Sequence, residues 1–427
     1  MIVVMLNLRA RDAIPALTLL PVTALLLAGC GSTDQASPET SATAEASEQT
    51  EQRGATPRLA ATYDGGVLVL DAGTLDVVAD LPVEGYNRLA PAGDDRHVAV
   101  STSGGFRLLD TGTWAEPHGD HAHHYTAAPG LTEVRVEATK PGHVVVHDGW
   151  TTFFDDGTGE ITVIGSAEVA DVAAERREVP SADAHHGVAV VVGDDDDDNV
   201  VVSTVGDADS RVGLLTRDRS GAEIARTAEC PGVHGEAAAR DALVFGCTDG
   251  VVVYSEGRFT KVASPDGYGR IGNQAGSPVS EVVLGDYKVD EDAELERPER
   301  ISLIDTTTNT LRLVDLPASY SFRSLGRGPA GEALVLGTDG RLHVVDPGSG
   351  ELVQSIEVVE PWTEPTEWQE PRPTLYVQGG AAYVTEPASG RLVVVDLATG
   401  QVRAETTVDR PLDELTGVGG AATDAGE

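Results

Sequence analysis

Basic residues are scarce in this chain. Thirty Lys and Arg stand against 69 Asp and Glu in 427 residues, a formal net charge of −39. Nucleic-acid binding rests on neutralising phosphates with Lys and Arg, so this balance excludes a nucleic-acid partner. Long apolar runs are missing after residue 29, and no later segment could span a bilayer. Sustained 3.6-residue apolar periodicity is absent too, which excludes a helical architecture. The sequence has neither a Gly-x-Ser-x-Gly elbow nor a phosphate-cradling Gly-Lys-Ser/Thr loop. Cysteines number only three, and none has the surroundings of an activated thiolate. These absences point away from an enzyme.

The N-terminus carries a secretion signal. Arg9 and Arg11 precede an almost wholly apolar run that stops at Leu27-Ala28-Gly29-Cys30. That is a lipobox, small residues before a Cys that becomes the lipidated N-terminus after cleavage. The alternative is an uncleaved membrane anchor. Residues 1–29 are read as signal peptide and residues 30–56 as the lipidated Cys30 with a disordered polar tether, since Ser, Thr, Ala, Glu and Gln cannot bury enough apolar surface to offset their ordering entropy. Residues 57–420 form one domain and residues 421–427 a disordered tail. Cleavage removes Arg9, Arg11 and Asp12, taking the net charge from −39 to −40. The protein is expected outside the cytoplasmic membrane, lipid-anchored on its outer face, as a monomer.

The 48 glycines supply ample turns. One pattern recurs through the domain: an apolar strand, an Asp-led turn with Gly or Thr, then a second strand. Examples begin at Gly65, Gly104, Gly340 and Gly390. Eight such hairpins, spaced by about 40 to 60 residues and each preceded by further short strands, indicate an all-β fold, a β-propeller. Eight blades are favoured, with seven as the alternative. Residues 415–420 are placed to add a strand to the first blade and close the ring, which would otherwise leave two exposed edges.

Histidine is concentrated in three segments. His118-Gly119-Asp120-His121-Ala122-His123-His124 holds four, Ala184-His185-His186-Gly187 two, and Cys230-Pro231-Gly232-Val233-His234-Gly235-Glu236 one. Neutral imidazole is the commonest protein ligand for zinc. Each segment falls between one hairpin and the next, so all three are expected on one propeller face. Candidate ligands are His121, His123, His124, His185, His186, His234 and Glu236, with His118, Asp120 and Asp183 as secondary partners. No unique tetrahedral set follows from the sequence. The remaining His97, His143, His147 and His343 lie in or beside strands and read as packing or surface residues. Cys230 and Cys247 make one disulfide in an oxidising compartment; a Cys/His metal site with His234 is the alternative. The five aspartates at 194–198 read as a solvated loop rather than a calcium site. Residues 360–373, rich in Pro and Glu with Trp362 and Trp368, form a lid, a partner surface or a long packed connection.

The three histidine segments together resemble the AztD family of zinc metallochaperones, across most of residues 57–420. The resemblance implies extracytoplasmic binding of Zn2+ and its hand-over to the solute-binding protein of a zinc ABC transporter. It points to His121, His123 and His124, to His185 and His186, and to His234 and Glu236. Family members can carry a His/Asp-rich segment near the mature N-terminus, whereas residues 31–56 here contain no histidine. Two rival functions remain at this stage, a metal-dependent propeller hydrolase or lactonase and a metal-free interaction propeller.

Overall fold

A computed structural model describes residues 49–180, 183–193 and 198–421. The signal segment, Cys30, most of the tether, residues 194–197 and the tail beyond 421 lie outside the described residues. Within them the protein is all-β. Among the described residues the only helical element is a single 3-10 turn, Ser166–Glu168.

Eight sheets of four or five strands follow one another along the chain, almost entirely antiparallel. The strands of the third sheet are Pro141–His147, Trp150–Asp155, Glu160–Gly165 and Arg177–Pro180; those of the fourth are Ala189–Val192, Val200–Gly206, Arg211–Arg217 and Glu223–Thr227. The fifth opens with His234–Ala238 and the sixth with Gln274–Ala275. The first sheet joins the two ends of the domain: Leu415–Val418 pairs with Arg58–Tyr63, Ala60 opposite Thr416. Residues 415–418 thus add a strand to the first sheet, the pairing expected from the sequence.

The repeat has a simple physical basis. Inner strands such as Gly66–Asp71 are buried along almost their whole length, because both faces pack against neighbouring sheets, and so they read as continuous apolar runs. Outer strands such as Val77–Pro82 are largely exposed. The recurrent Asp caps the turn between them. Asp71 Oδ1 accepts the backbone N–H groups of Gly73 and Thr74, both at 2.9 Å, and Asp305, Asp346 and Asp396 do the same in later repeats. Asp side chains suit such turns because they bond the backbone two or three residues ahead.

Eight apolar clusters each join a pair of successive sheets. One couples Val202 and Leu214 of the fourth to Phe245 and Val252 of the fifth. Another couples Leu59 and Leu70 of the first sheet to Tyr383 and Val394 of the eighth. Cys230 and Cys247 are fully buried in the former cluster and form a disulfide, with Cα atoms 5.0 Å apart. The bridge ties the connection that carries His234 to the second strand of the fifth sheet, Leu243–Cys247.

A ninth, three-stranded sheet departs from the expected pattern. Thr113–His118 and His121–Thr126 form a hairpin, and Thr50–Gln52 pairs with its second strand. The chain then returns to the second sheet, where Gly130–Val136 pairs with Gly105–Asp110. The strand that follows the histidine segment is therefore the fourth of the second sheet rather than the first of a new one. The expected tether also ends sooner than residue 56, because the edge of the histidine hairpin supplies hydrogen-bonding partners for residues 50–52.

Residues 360–373 are an ordered connection between the seventh and eighth sheets. Arg372, 1% exposed, pairs with buried Glu364 at 3.0 Å, and Trp362 Nε1–H donates to the Gly337 carbonyl. Trp368 reaches Tyr86 edge-on, ring centroids 5.2 Å apart.

Candidate metal centre

The histidines form two separate groups rather than one. The inner group is His143, His186 and His234, whose nearest ring nitrogens all lie within 4.8 Å of one another. His143 belongs to the first strand of the third sheet, His186 precedes that of the fourth, and His234 begins that of the fifth. All three line one cavity of about 630 Å³, together with Asp156, Glu236 and Trp368.

Glycine adjoins each of the three, and crowding explains it. A Cβ at Gly142 would stand 2.1 Å from Asp156 Oδ1, and one at Gly187 2.3 Å from the Phe154 ring. Gly235 has φ +68° and would meet Gln274 Oε1 at 2.5 Å, so a side chain there is both strained and blocked.

Hydrogen bonds to the outward nitrogens fix the rings. His234 Nδ1 lies 2.6 Å from the Gly272 carbonyl, which can only accept, so Nδ1 carries the proton. His186 Nδ1 lies 2.6 Å from Asp156 Oδ2, and the carboxylate accepts in the same way. Both Nε2 atoms therefore present lone pairs, 3.3 Å apart. His143 Nε2 is also 3.3 Å from His186 Nε2. Nitrogens bound at the usual 2.0–2.1 Å from tetrahedral zinc stand about 3.3–3.4 Å apart, so the spacing matches one edge of that shell. Carboxylate or carbonyl partners on the far nitrogen are the usual way a metal-binding imidazole is oriented.

The electrostatics favour neutral ligands. Burial, then His186, lowers His234 to about 3. Burial, then His186 and His234, puts His143 well below the ordinary imidazole value. Burial also pushes the Glu236 carboxyl up to about 8. Glu236 shares the cavity wall but lies outside the three-histidine group.

The outer group is His118, His121 and His123. His118 and His121 are cross-strand partners flanking a two-residue turn at Gly119 and Asp120, and His123 follows on the same face. His118 Nδ1 lies 3.1 Å from His123 Nε2. Glu51, from the N-terminal strand, accepts from His123 Nδ1 at 2.8 Å, and Asp120 meets His121 Nδ1 at 3.2 Å. This group is largely exposed.

Three candidate ligands join neither group: Glu236, His185 and His124. His185 is buried, its Nδ1 donating to the Asp183 carbonyl at 2.8 Å and its Nε2 accepting from Thr204 Oγ1 at 2.9 Å. Both ring nitrogens are engaged, and Asp183 serves it through the backbone. His124 faces away from its neighbours, with Nδ1 buried and unpartnered. His143, conversely, was read as a packing residue because it sits inside a strand. The signal that could have found it is the pairing of His with an adjacent Gly at the entry to three consecutive repeats.

No protein-family model matches the chain. A curated relative, the zinc chaperone AztD of Citrobacter koseri, is 28% identical over 371 residues, covering 84% of this chain and 86% of the relative. The crystal structure of Citrobacter koseri AztD superposes with a TM-score of 0.75 at 26% identity, covering 87% of this chain and 100% of that one. The apo form of the same protein gives 0.73 at 25% identity, covering 86% and 98%. The resemblance read from the three histidine segments thus extends over most of the domain in both sequence and fold. Among the described residues no helix is long and apolar enough to cross a membrane.

Proposed function

We propose that this chain, a relative of the AztD zinc chaperones, is an extracytoplasmic zinc metallochaperone that passes zinc to the solute-binding protein of a zinc ABC transporter. The observation that carries this reading is the convergence of three imidazoles within 4.8 Å of one another, two of the pairs at the 3.3 Å of a zinc shell, with Asp156 and Gly272 holding the outward nitrogens of His186 and His234.

The eight successive sheets are taken as the blades of a propeller, supported by the apolar clusters that run from sheet to sheet and from the eighth back to the first. In that arrangement His143, His186 and His234 are the inner zinc ligands. His118, His121 and His123 form a second, surface position, with His124 close by. Glu236 remains a carboxyl within the inner cavity, available when a ligand leaves. Cleavage before Cys30 and its lipidation would hold a monomer to the outer face of the membrane, with residues 31–49 as the tether.

Three converging imidazoles in a half-buried cavity wall suit storage of a divalent ion. An exposed histidine hairpin beside the chain's N-terminal strand suits contact with a receptor, because it offers ligands that a partner can reach. Competition with a chromogenic zinc chelator, on protein purified without a His-tag, tests the reading. One or two zinc ions bound with sub-micromolar affinity are expected. A protein that leaves all zinc with the chelator is not a chaperone of this kind.

A further inference from the structure

The inner histidine group leaves a coordination position open. Three imidazoles converge, and among the described residues no carboxylate joins their group. Its surroundings are basic, in a chain with 39 more acidic than basic side chains. A second cavity, about 430 Å³, shares His186 and His234 with the first and is also lined by Arg211 and Arg270. The Arg270 guanidinium folds over Gly272, 2.7–2.9 Å from where a Cβ would stand, and Gly272 is the residue whose carbonyl holds His234. Arg270 and Lys288 are bridge partners across adjacent segments, and cross-strand partners project to the same side. Burial, and then Arg270, hold the Arg211 guanidinium below its usual range.

Three cations gathered this way repel one another, and like charges directly opposite are destabilising. Asp286 acts electrostatically on Arg270 and Lys288, and Asp156 on Arg211, but each of these carboxylates is also held by other donors. Asp156 accepts from His186, Asp286 accepts the backbone N–H groups of Gly272 and Asn273, and Asp207 accepts those of Asp209 and Ser210. The guanidinium groups of Arg211 and Arg270 face a cavity beside the histidines, and guanidinium groups match carboxylates in bidentate geometry. The larger cavity, about 630 Å³, has the size of a small-molecule site.

We propose that Arg211, Arg270 and Lys288 hold a small di- or tricarboxylate, one oxygen of which occupies the open position of the metal bound by His143, His186 and His234. The protein then carries its metal as a ternary complex with an anionic chelator. This rests on the three-histidine group being a metal site.

The test uses Co2+ as a spectroscopic stand-in for zinc and malonate as the carboxylate. Cobalt alone is added first, and its visible bands report whether the histidines bind metal. Failure at that step removes the metal reading, and the ternary complex with it. With cobalt bound, malonate should shift the bands saturably at millimolar concentration or below. Arg211→Gln and Lys288→Gln should each weaken malonate at least 10-fold while still binding cobalt. N-acetylaspartate amide, which presents one carboxylate as a partner's side chain would, should bind at least 10-fold more weakly than malonate. Unshifted bands overturn the proposal, and so does bleaching that shows cobalt extracted. Equal malonate affinity in both variants, or equal affinity for the single carboxylate, overturns it as well.

Discussion

His186 and His234 face each other through Nε2 atoms 3.3 Å apart, while each Nδ1 is turned outward to an acceptor at 2.6 Å. With both outward nitrogens donating, the facing pair is two lone pairs in a buried wall. Such a pair is unfavourable until a cation sits between them. The protein spends folding energy to hold this arrangement, as binding sites commonly do, and a metal ion recovers it. Metal binding should therefore stabilise the fold by mass action as well as fill the site.

His143→Ala should weaken zinc binding at the inner site at least 100-fold, as His234→Ala should, because each removes one of three protein ligands. His185→Ala should leave zinc affinity nearly unchanged, since its two nitrogens serve Asp183 and Thr204, and should instead lower the melting temperature. Chelator competition and thermal unfolding of the three variants separate the two roles. Loss of zinc in His185→Ala with His143→Ala intact would reverse the assignment.

Acid should act on the metal-free protein first. His143 and His234 are held below the ordinary imidazole value, His234 at about 3. Below about pH 6.5 the unfolded chain takes up protons that these buried rings refuse. Stability is therefore full above that pH and falls progressively as pH drops towards about 3. Denaturant titration of apo protein at pH 7.5, 6 and 4.5 should show the decline. The same reluctance to protonate should let the inner site keep zinc below pH 6.

Denatured, unreduced protein carrying Cys30→Ser should show no free thiol, because Cys230 and Cys247 are bonded. Replacing both with Ala should cost about 3 kcal/mol in the loop-entropy model. It should also weaken zinc binding, because the bridge anchors the connection that delivers His234. Equal zinc affinity in the double variant would show that the apolar cluster alone holds that connection.

Glu51→Gln should weaken a zinc ion bound at His118, His121 and His123 by about 10-fold, the usual effect of losing a carboxylate behind a ligand imidazole. The inner site should not change. Zinc stoichiometry and affinity measured in a His143→Ala background isolate the outer position.

Transfer should be direct. Zinc-loaded protein mixed with apo solute-binding protein and excess chelator should fill the receptor before the chelator takes the metal. At a net charge of −39 the chain should favour a receptor surface that is basic or rich in histidine, and the transfer rate should fall with salt. Complete interception by the chelator would make the protein a zinc buffer instead.

Much of this was legible in the residue order. The Asp-led turns at Asp71, Asp305, Asp346 and Asp396 recur because a short carboxylate bonds the backbone just ahead of it, which is a local rule. The closing strand at Leu415–Val418 followed from the need to cover an edge. The Cys230–Cys247 bridge followed from having one pair left in an oxidising compartment. The inner histidine group was only half legible. His186 and His234 stood out by their place at repeat entries, whereas His143 was hidden inside a strand. His185, next to His186, looked equally suited.

By itself the sequence determined the all-β class, the repeat and the concentration of histidine, because turn chemistry and alternation act over a few residues. Tertiary structure alone decided which histidines meet. The hairpin at Thr113–His118 and His121–Thr126 forms a sheet of its own and groups three of its four imidazoles there, an excursion that backbone pairing with Thr50–Gln52 stabilises. Adjacent His185 and His186 part company because one ring turns into the core to Thr204 and the other into the cavity to Asp156. That choice depends on partners 19 and 30 residues away, and no local rule in the chain can see them.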